Sequence, residues 1–216
     1  MKKILLTILV LLFFVAPTFA IDCKSADECV VIGEKLIIQK EYQTAVECFD
    51  TALSMDEDTY MAYAFRAKSY YYIGNYDFAI EDATKSIELH PNSIAYGVRG
   101  GAKLACGDTE GAIEDTTKAL EINPEYMECY VIRARAEANA EQFVEALKDA
   151  NKAISLKDDY AKSYEVLGYA QIGIKDVPSA KDSFEKAKKL FKTNKDRKNY
   201  RLMKKKVKEC KRLLKW

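Results

Sequence analysis

Six cysteines, a single histidine and three Arg and Asp couples are the residues whose types and spacing could do chemistry in this 216-residue chain. A thiol or imidazole works in catalysis only when a base, an orienting group and an oxyanion donor converge on it. The sequence offers no such constellation. His90 precedes Pro91 at the end of a predicted helix, where it serves the helix terminus. There is no Gly-rich phosphate loop, no CxxC, and no His and Cys spacing suited to a metal, so neither a metal nor another cofactor is expected. The acidic residues are many but scattered, and the chain reads as non-catalytic. Thiol exchange is the remotest of the functional readings.

Two chemical features do stand out. Ser25 and Glu28 fit a capping box, which puts Cys23 just outside a helix and Cys29 inside its first turn. A bridge there would staple the helix start, contributing about 2 kcal/mol in the chain-entropy model; the alternative is two free thiols. The second feature is periodic. Arg66 precedes Asp82, Arg99 precedes Asp115 and Arg133 precedes Asp149, each by sixteen residues. The corresponding places before and after hold Ile32 with Cys48 and Leu167 with Ser183, so the Arg and the Asp are lost together. Joint loss points to structural ion pairs, because a buried charge orphaned by its partner costs about 3 to 5 kcal/mol; the alternative is a ligand-binding role for the arginines.

The elements that must position these groups are repeated helix pairs. Segments aligned on Ala45, Ala79, Ala112, Ala146 and Ala180 recur at spacings of 34, 33, 34 and 34 residues. Small and apolar residues three and four apart, such as Ala45, Phe49 and Ala52, mark one buried helical face in each. Upstream of every segment lies a second stripe, for example Tyr63, Ala67 and Tyr70. With only 9 Gly and 4 Pro, the chain is expected to be all-α.

These residues resemble the tetratricopeptide repeat family. The pattern is nearly whole in the second unit as Tyr63, Ala67, Tyr70, Gly74, Tyr76, Ala79 and Pro91. The third unit keeps Tyr96, Gly100, Gly107, Ala112, Ala119 and Pro124, and the fourth keeps Tyr130, Ala134, Phe143, Ala146, Ala150 and Ala153. The resemblance implies a right-handed superhelical solenoid of five helix-turn-helix repeats over 26–59, 60–92, 93–126, 127–160 and 161–194, closed by a capping helix over 195–216. It also implies a concave groove, lined by the first helices, that receives a peptide or protein segment. Carried onto this chain, the groove presents Lys68, Tyr71, Tyr72, Gly97, Gly101, Leu104, Arg135, Asn139 and Tyr169. Gly97 and Gly101 either leave a bare patch for a partner side chain or relieve crowding between helices. Lys68 and Arg135 could meet a partner carboxylate, but Ala64 and Val131 replace residues that the family's clamp for acidic chaperone tails requires. Cys106 and Cys129 fall at opposite ends of neighbouring first helices, too far apart to bridge without distortion.

Charge is divided along the chain. Residues 181–216 hold 16 Lys and Arg against 4 Asp and Glu, while residues 21–180 carry −13 within a total of +1. The last helix shows an apolar stripe at Tyr200, Met203, Val207, Cys210 and Leu214, with Arg201, Lys204, Lys205, Lys208, Lys211, Arg212 and Lys215 opposite. That face is either a solvated cap or a dock for an anionic partner such as an acidic protein or a lipid surface. No nucleic-acid partner is expected, for want of a recognised motif. At the N-terminus, Lys2 and Lys3, an apolar run from Ile4 to Val15, Pro17 and small residues to Ala20 have the plan of an export signal cleaved after Ala20. The alternative is an uncleaved membrane anchor. The expected mature chain, from residue 21, is periplasmic or secreted. The sequence leaves its oligomeric state open.

Overall fold

Each helix begins and ends where local chemistry allows it. In the computed structural model, which describes residues 22–215, eleven α-helices account for about four-fifths of the described residues, among which no strand occurs. The helices are α1 (Ala26–Gln39), α2 (Tyr42–Met55), α3 (Tyr60–Ile73), α4 (Tyr76–Leu89), α5 (Ser93–Ala105), α6 (Thr109–Ile122), α7 (Met127–Asn139), α8 (Phe143–Leu156), α9 (Ala161–Gly173), α10 (Val177–Thr193) and α11 (Arg197–Leu213). The expected export signal lies outside the described residues.

Side chains of Ser25, Asn92, Asp108, Asp176 and Asp196 each accept a hydrogen bond from a backbone N–H in the first turn of the following helix. Gly74 ends α3 at φ 99°, a left-handed conformation that lets its N–H reach back to the Tyr70 carbonyl and reverses the chain in two residues. Short turns of this kind force successive helices into antiparallel pairs.

Pairing is set by side-chain volume. Positions sixteen apart face each other across every pair: Gly33 with Phe49, Ala67 with Ala83, Gly100 with Thr116, Ala134 with Ala150, and Gly168 with Phe184. The first and last pairs combine the smallest residue with a large one. A Cβ on Gly33 or Gly168 would come within 2.5 Å of the Phe49 or Phe184 ring, both of which are fully buried. The middle pairs split a smaller volume more evenly. All five aligned alanines, Ala45, Ala79, Ala112, Ala146 and Ala180, are completely buried, since only a methyl group fits so close an approach.

Neighbours along the chain pack against each other throughout, and α1, α3, α5, α7 and α9 also touch their counterparts in adjacent repeats. The even-numbered helices make no comparable mutual contact among the described residues. The first helices therefore crowd together on the inner face while the second helices splay on the outer one, which curves the stack. Helix α11 packs on α10 through buried Met203, Val207 and Cys210. The stripe is shorter than its spacing suggests: Leu214 lies just past the helix end and remains 46% exposed.

Candidate partner-binding groove

The periodic arginines hold the stack together from within. Arg66 Nε and Nη2 donate to the two carboxylate oxygens of Asp82, each at 2.7 Å; Arg99 does the same to Asp115 at 2.8 Å, and Arg133 to Asp149 at 2.6 and 3.0 Å. Each remaining Nη1 reaches the second helix of the preceding repeat, where it donates to Asp50, Thr84 or Thr117. The guanidinium groups also lie 5.5 to 5.7 Å from the rings of Tyr63, Tyr96 and Tyr130. Every arginine thus ties three helices, and its planar fork is suited to the task in a way that a lysine is not. Sequence spacing points to the partner sixteen residues ahead but not to the one behind.

The three sites differ electrostatically at one further position. Lys103 Nζ sits 2.8 Å from Asp115, and although burial disfavours the Asp115 charge, hydrogen bonds from Arg99 and Lys103 hold its carboxyl below the ordinary range. In the second repeat that place is Tyr70; burial outweighs Arg66 and raises Asp82. In the fourth repeat it is Glu137, a second carboxyl beside Asp149.

On the inner face, Lys68, Tyr71, Tyr72, Gly97, Leu104 and Arg135 line one cavity of about 100 Å³. Arg135, Asn139 and Tyr169 line a second, of about 280 Å³, with Phe143 and Ile172. Lys68, Arg135 and Tyr169 occupy equivalent positions in successive repeats, as does Gly101. Gly101 lines neither cavity. A Cβ there would meet the Tyr71 ring and Ile132 at 3.2 Å, and one on Gly97 would fall 2.6 Å from Cys129 Sγ and 3.0 Å from the Tyr126 ring. The bare patch considered from the sequence is therefore occupied by the chain's own side chains, and the glycines relieve crowding. Only the outer edge of Gly97 remains beside the cavity.

Nor is Arg135 a free cation awaiting a partner carboxylate. Its Nη2 donates to Glu165 Oε1 at 2.9 Å, and Glu165 is buried, so the guanidinium is already partnered across α7 and α9. Lys68 makes no ion pair among the described residues and remains available to a ligand.

Sequence reasoning missed the cavity's far wall, built by Tyr126, Glu128, Tyr160 and Lys162. Tyr126 and Tyr160 cap α7 and α9 and stand 34 residues apart, as do Glu128 and Lys162 in the first turns of those helices. The period itself carried the signal, but cap residues lie outside the helical stripes. Burial drives the Tyr126 hydroxyl well above its ordinary pKa and raises that of Tyr72 to about 12, so these phenols are neutral donors and acceptors. Tyr72, 42% exposed, stacks on Tyr42 of the first repeat at 4.8 Å.

Elsewhere, Cys23 and Cys29 form a disulfide with their Cα atoms 5.3 Å apart. Ser25 caps α1 by accepting from Glu28 N, and Glu28 accepts from Lys24 N, one residue earlier than a capping box requires. Cys106 is exposed, and Cys48, Cys129 and Cys210 are buried free thiols. His90 ends α4 and stacks on Tyr60 at 4.7 Å.

Residues 94–126 match the family model described as tetratricopeptide repeat, and they span the third helix pair almost from end to end. The third helix pair is a tetratricopeptide repeat, and the other four pairs share its period and its helix-turn-helix form. A 71-residue stretch is 32% identical to the protein STIP1 homolog of Dictyostelium discoideum, taking in 33% of this chain and 13% of that protein. The chain thus spans only a small part of that relative's length. The solved structure of MamA superposes with a TM-score of 0.60 at 22% identity, over 80% of this chain and 95% of MamA. YrrB, described as a TPR protein with an unusual peptide-binding site, does so with a TM-score of 0.60 at 19% identity, over 84% and 92%. At these identities the likeness is one of fold: successive helix pairs stacked into a tetratricopeptide-repeat solenoid.

Proposed function

We propose that this tetratricopeptide-repeat protein is a non-catalytic scaffold that captures a peptide or protein segment on its inner face, centred on the cavity between α3, α5, α7 and the start of α9. The observation that carries this reading is the composition of that cavity. Four tyrosines, Tyr71, Tyr72, Tyr126 and Tyr160, supply rigid amphipathic walls, and Lys68, Glu128 and Lys162 stand around them without ion-pair partners among the described residues. Such a surface offers apolar area at small entropic cost, with charges left over to set register and orientation. A segment lying across it would meet equivalent positions every repeat.

The test follows from what each side chain already does. Tyr71 is seated on Gly101 and Arg135 is paired with Glu165, so removing either disturbs the scaffold. Tyr72→Ala combined with Lys68→Ala removes an unpaired charge and a 42% exposed ring, at the cost of about 1 kcal/mol from the ring's stack on Tyr42. Affinity capture followed by direct titration of the captured partner should show binding lost in the double variant while helicity is retained and melting falls only slightly. Undiminished binding would put the site elsewhere.

We also read the chain as acting outside the reducing cytosol. The Cys23 to Cys29 bridge, immediately after the expected cleavage point, supports that reading, because such bonds persist in oxidising compartments.

A further inference from the structure

Helices α1 and α11 are the two ends of the stack, and each leaves its outer side uncovered by the other described residues: α11 packs on α10, with Lys206 reaching the Tyr169 ring of α9, and α1 packs on α2 and α3. Terminal repeats of a solenoid ordinarily end in a polar face that keeps the array from growing. Here the two ends are instead complementary. Along the exposed side of α1 run Asp27, Val31, Glu34 and Ile38, spaced four, three and four residues apart. Along the exposed side of α11 run Arg201, Lys205, Lys208 and Arg212, with the same spacing. Each stripe extends about 16 Å.

Charge follows the same division over a wider area. Residues 22–58 hold ten Asp and Glu against three Lys, whereas α11 holds nine Lys and Arg against one Glu. None of the four basic residues of the α11 stripe, and neither Asp27 nor Glu34, forms an ion pair among the described residues. Apolar residues accompany both stripes. Ile38 is 75% exposed and Val31 49%, while Leu202 and Leu213 flank the basic stripe on one side and are also exposed.

From this pairing we infer that the protein associates with itself head to tail, the basic outer face of α11 in one copy docking on the acidic outer face of α1 in the next. A membrane would satisfy only one of the two ends, since an anionic surface that attracted α11 would repel the first repeat. A second copy satisfies both. The contact joins two different patches, so it is heterologous, and nothing obliges it to close into a dimer. The scaffold would then present its inner faces in series.

Sedimentation velocity of the purified protein across a concentration series, at about 20 mM and about 500 mM salt, tests this; the screening length falls from roughly 20 to roughly 4 Å between them. The weight-average mass should rise with concentration to roughly twice the monomer mass or more at low salt, and return to the monomer at high salt. Reversal of the tail (Arg201→Glu, Lys205→Glu, Lys208→Glu, Arg212→Glu) or of the head (Asp27→Lys, Glu34→Lys) should abolish association at low salt while circular dichroism confirms retained helicity. An equimolar mixture of the two variants should associate again, because each now offers what the other lacks. The Tyr72→Ala, Lys68→Ala variant should associate like the wild type, which separates this contact from the groove. A wild-type protein that stays monomeric at low salt overturns the inference, as does association that survives tail reversal. Monomeric protein that instead co-sediments with phosphatidylglycerol vesicles assigns α11 to lipid and overturns it equally.

Discussion

Replacing Glu137 by Gln should stabilise the protein increasingly as pH rises from 4 to 8. Glu137 is 7% exposed, and its Oε2 has no hydrogen-bond partner. Arg133 Nε lies 3.9 Å from its Oε1 but is engaged with Asp149 at 2.6 Å, so one guanidinium serves two carboxyls. Burial first, and then the Asp149 charge, push the Glu137 carboxyl up to about 7. Against an ordinary value of about 4.3, and at about 1.4 kcal/mol per unit, ionising it inside the fold costs up to about 4 kcal/mol. The folded state holds the proton more tightly than the unfolded chain, so stability is lost as pH climbs from about 4.3 to about 7, and the full cost persists above that. Gln keeps the shape and has no charge to bury. The melting-temperature difference between Glu137→Gln and wild type, followed by circular dichroism, should be near zero at about pH 4 and open to roughly 5–10 °C at about pH 8. Glu137→Lys, which recreates the Lys103 arrangement beside Asp115, should show a gain of the same sign at pH 8. A difference independent of pH, or a Gln variant less stable than wild type at pH 8, would refute the reasoning.

Other outcomes follow from the same geometry. Arg99→Ala orphans Asp115, of which Lys103 is the remaining partner, and unties α4 from α5 and α6; chemical unfolding should show a loss of about 3 kcal/mol or more, with partner affinity at intact temperatures little changed. Gly97→Ala places a methyl group against Cys129 Sγ and the Tyr126 ring, and should cost about 1–3 kcal/mol in the same assay. Cys29→Ser should lower stability by about 2 kcal/mol under oxidising conditions and make no difference once the wild type is reduced. N-terminal sequencing of protein recovered from its native compartment should begin at Ile21; a chain starting at Met1 would remove the export reading.

What the sequence by itself determined is everything that repeats. A period of 33 to 34 residues, two stripes per period and Gly or Asp at the turns specify antiparallel helix pairs, because capping, helical periodicity and short loops act within a few residues of one another. The sixteen-residue spacing of Arg and Asp belongs to the same class, since it describes two positions facing each other across one turn. The basic outer face and buried Cys210 of α11 were equally legible from a stripe on a single helix. Leu214 was not, because a periodic stripe does not mark where the helix ends. Contacts between repeats were decided only by tertiary structure. The angle between one pair and the next depends on summed side-chain volumes, such as Gly33 with Phe49 against Ala67 with Ala83, and no local rule reads that angle. It brings Tyr126 and Cys129 over Gly97, sets Tyr71 on Gly101, and lets Glu165 reach back thirty residues to pair with Arg135 at the edge of both cavities. The helices were written in the period; which of their inner-face side chains remain free for a partner was settled by how the repeats lean on each other.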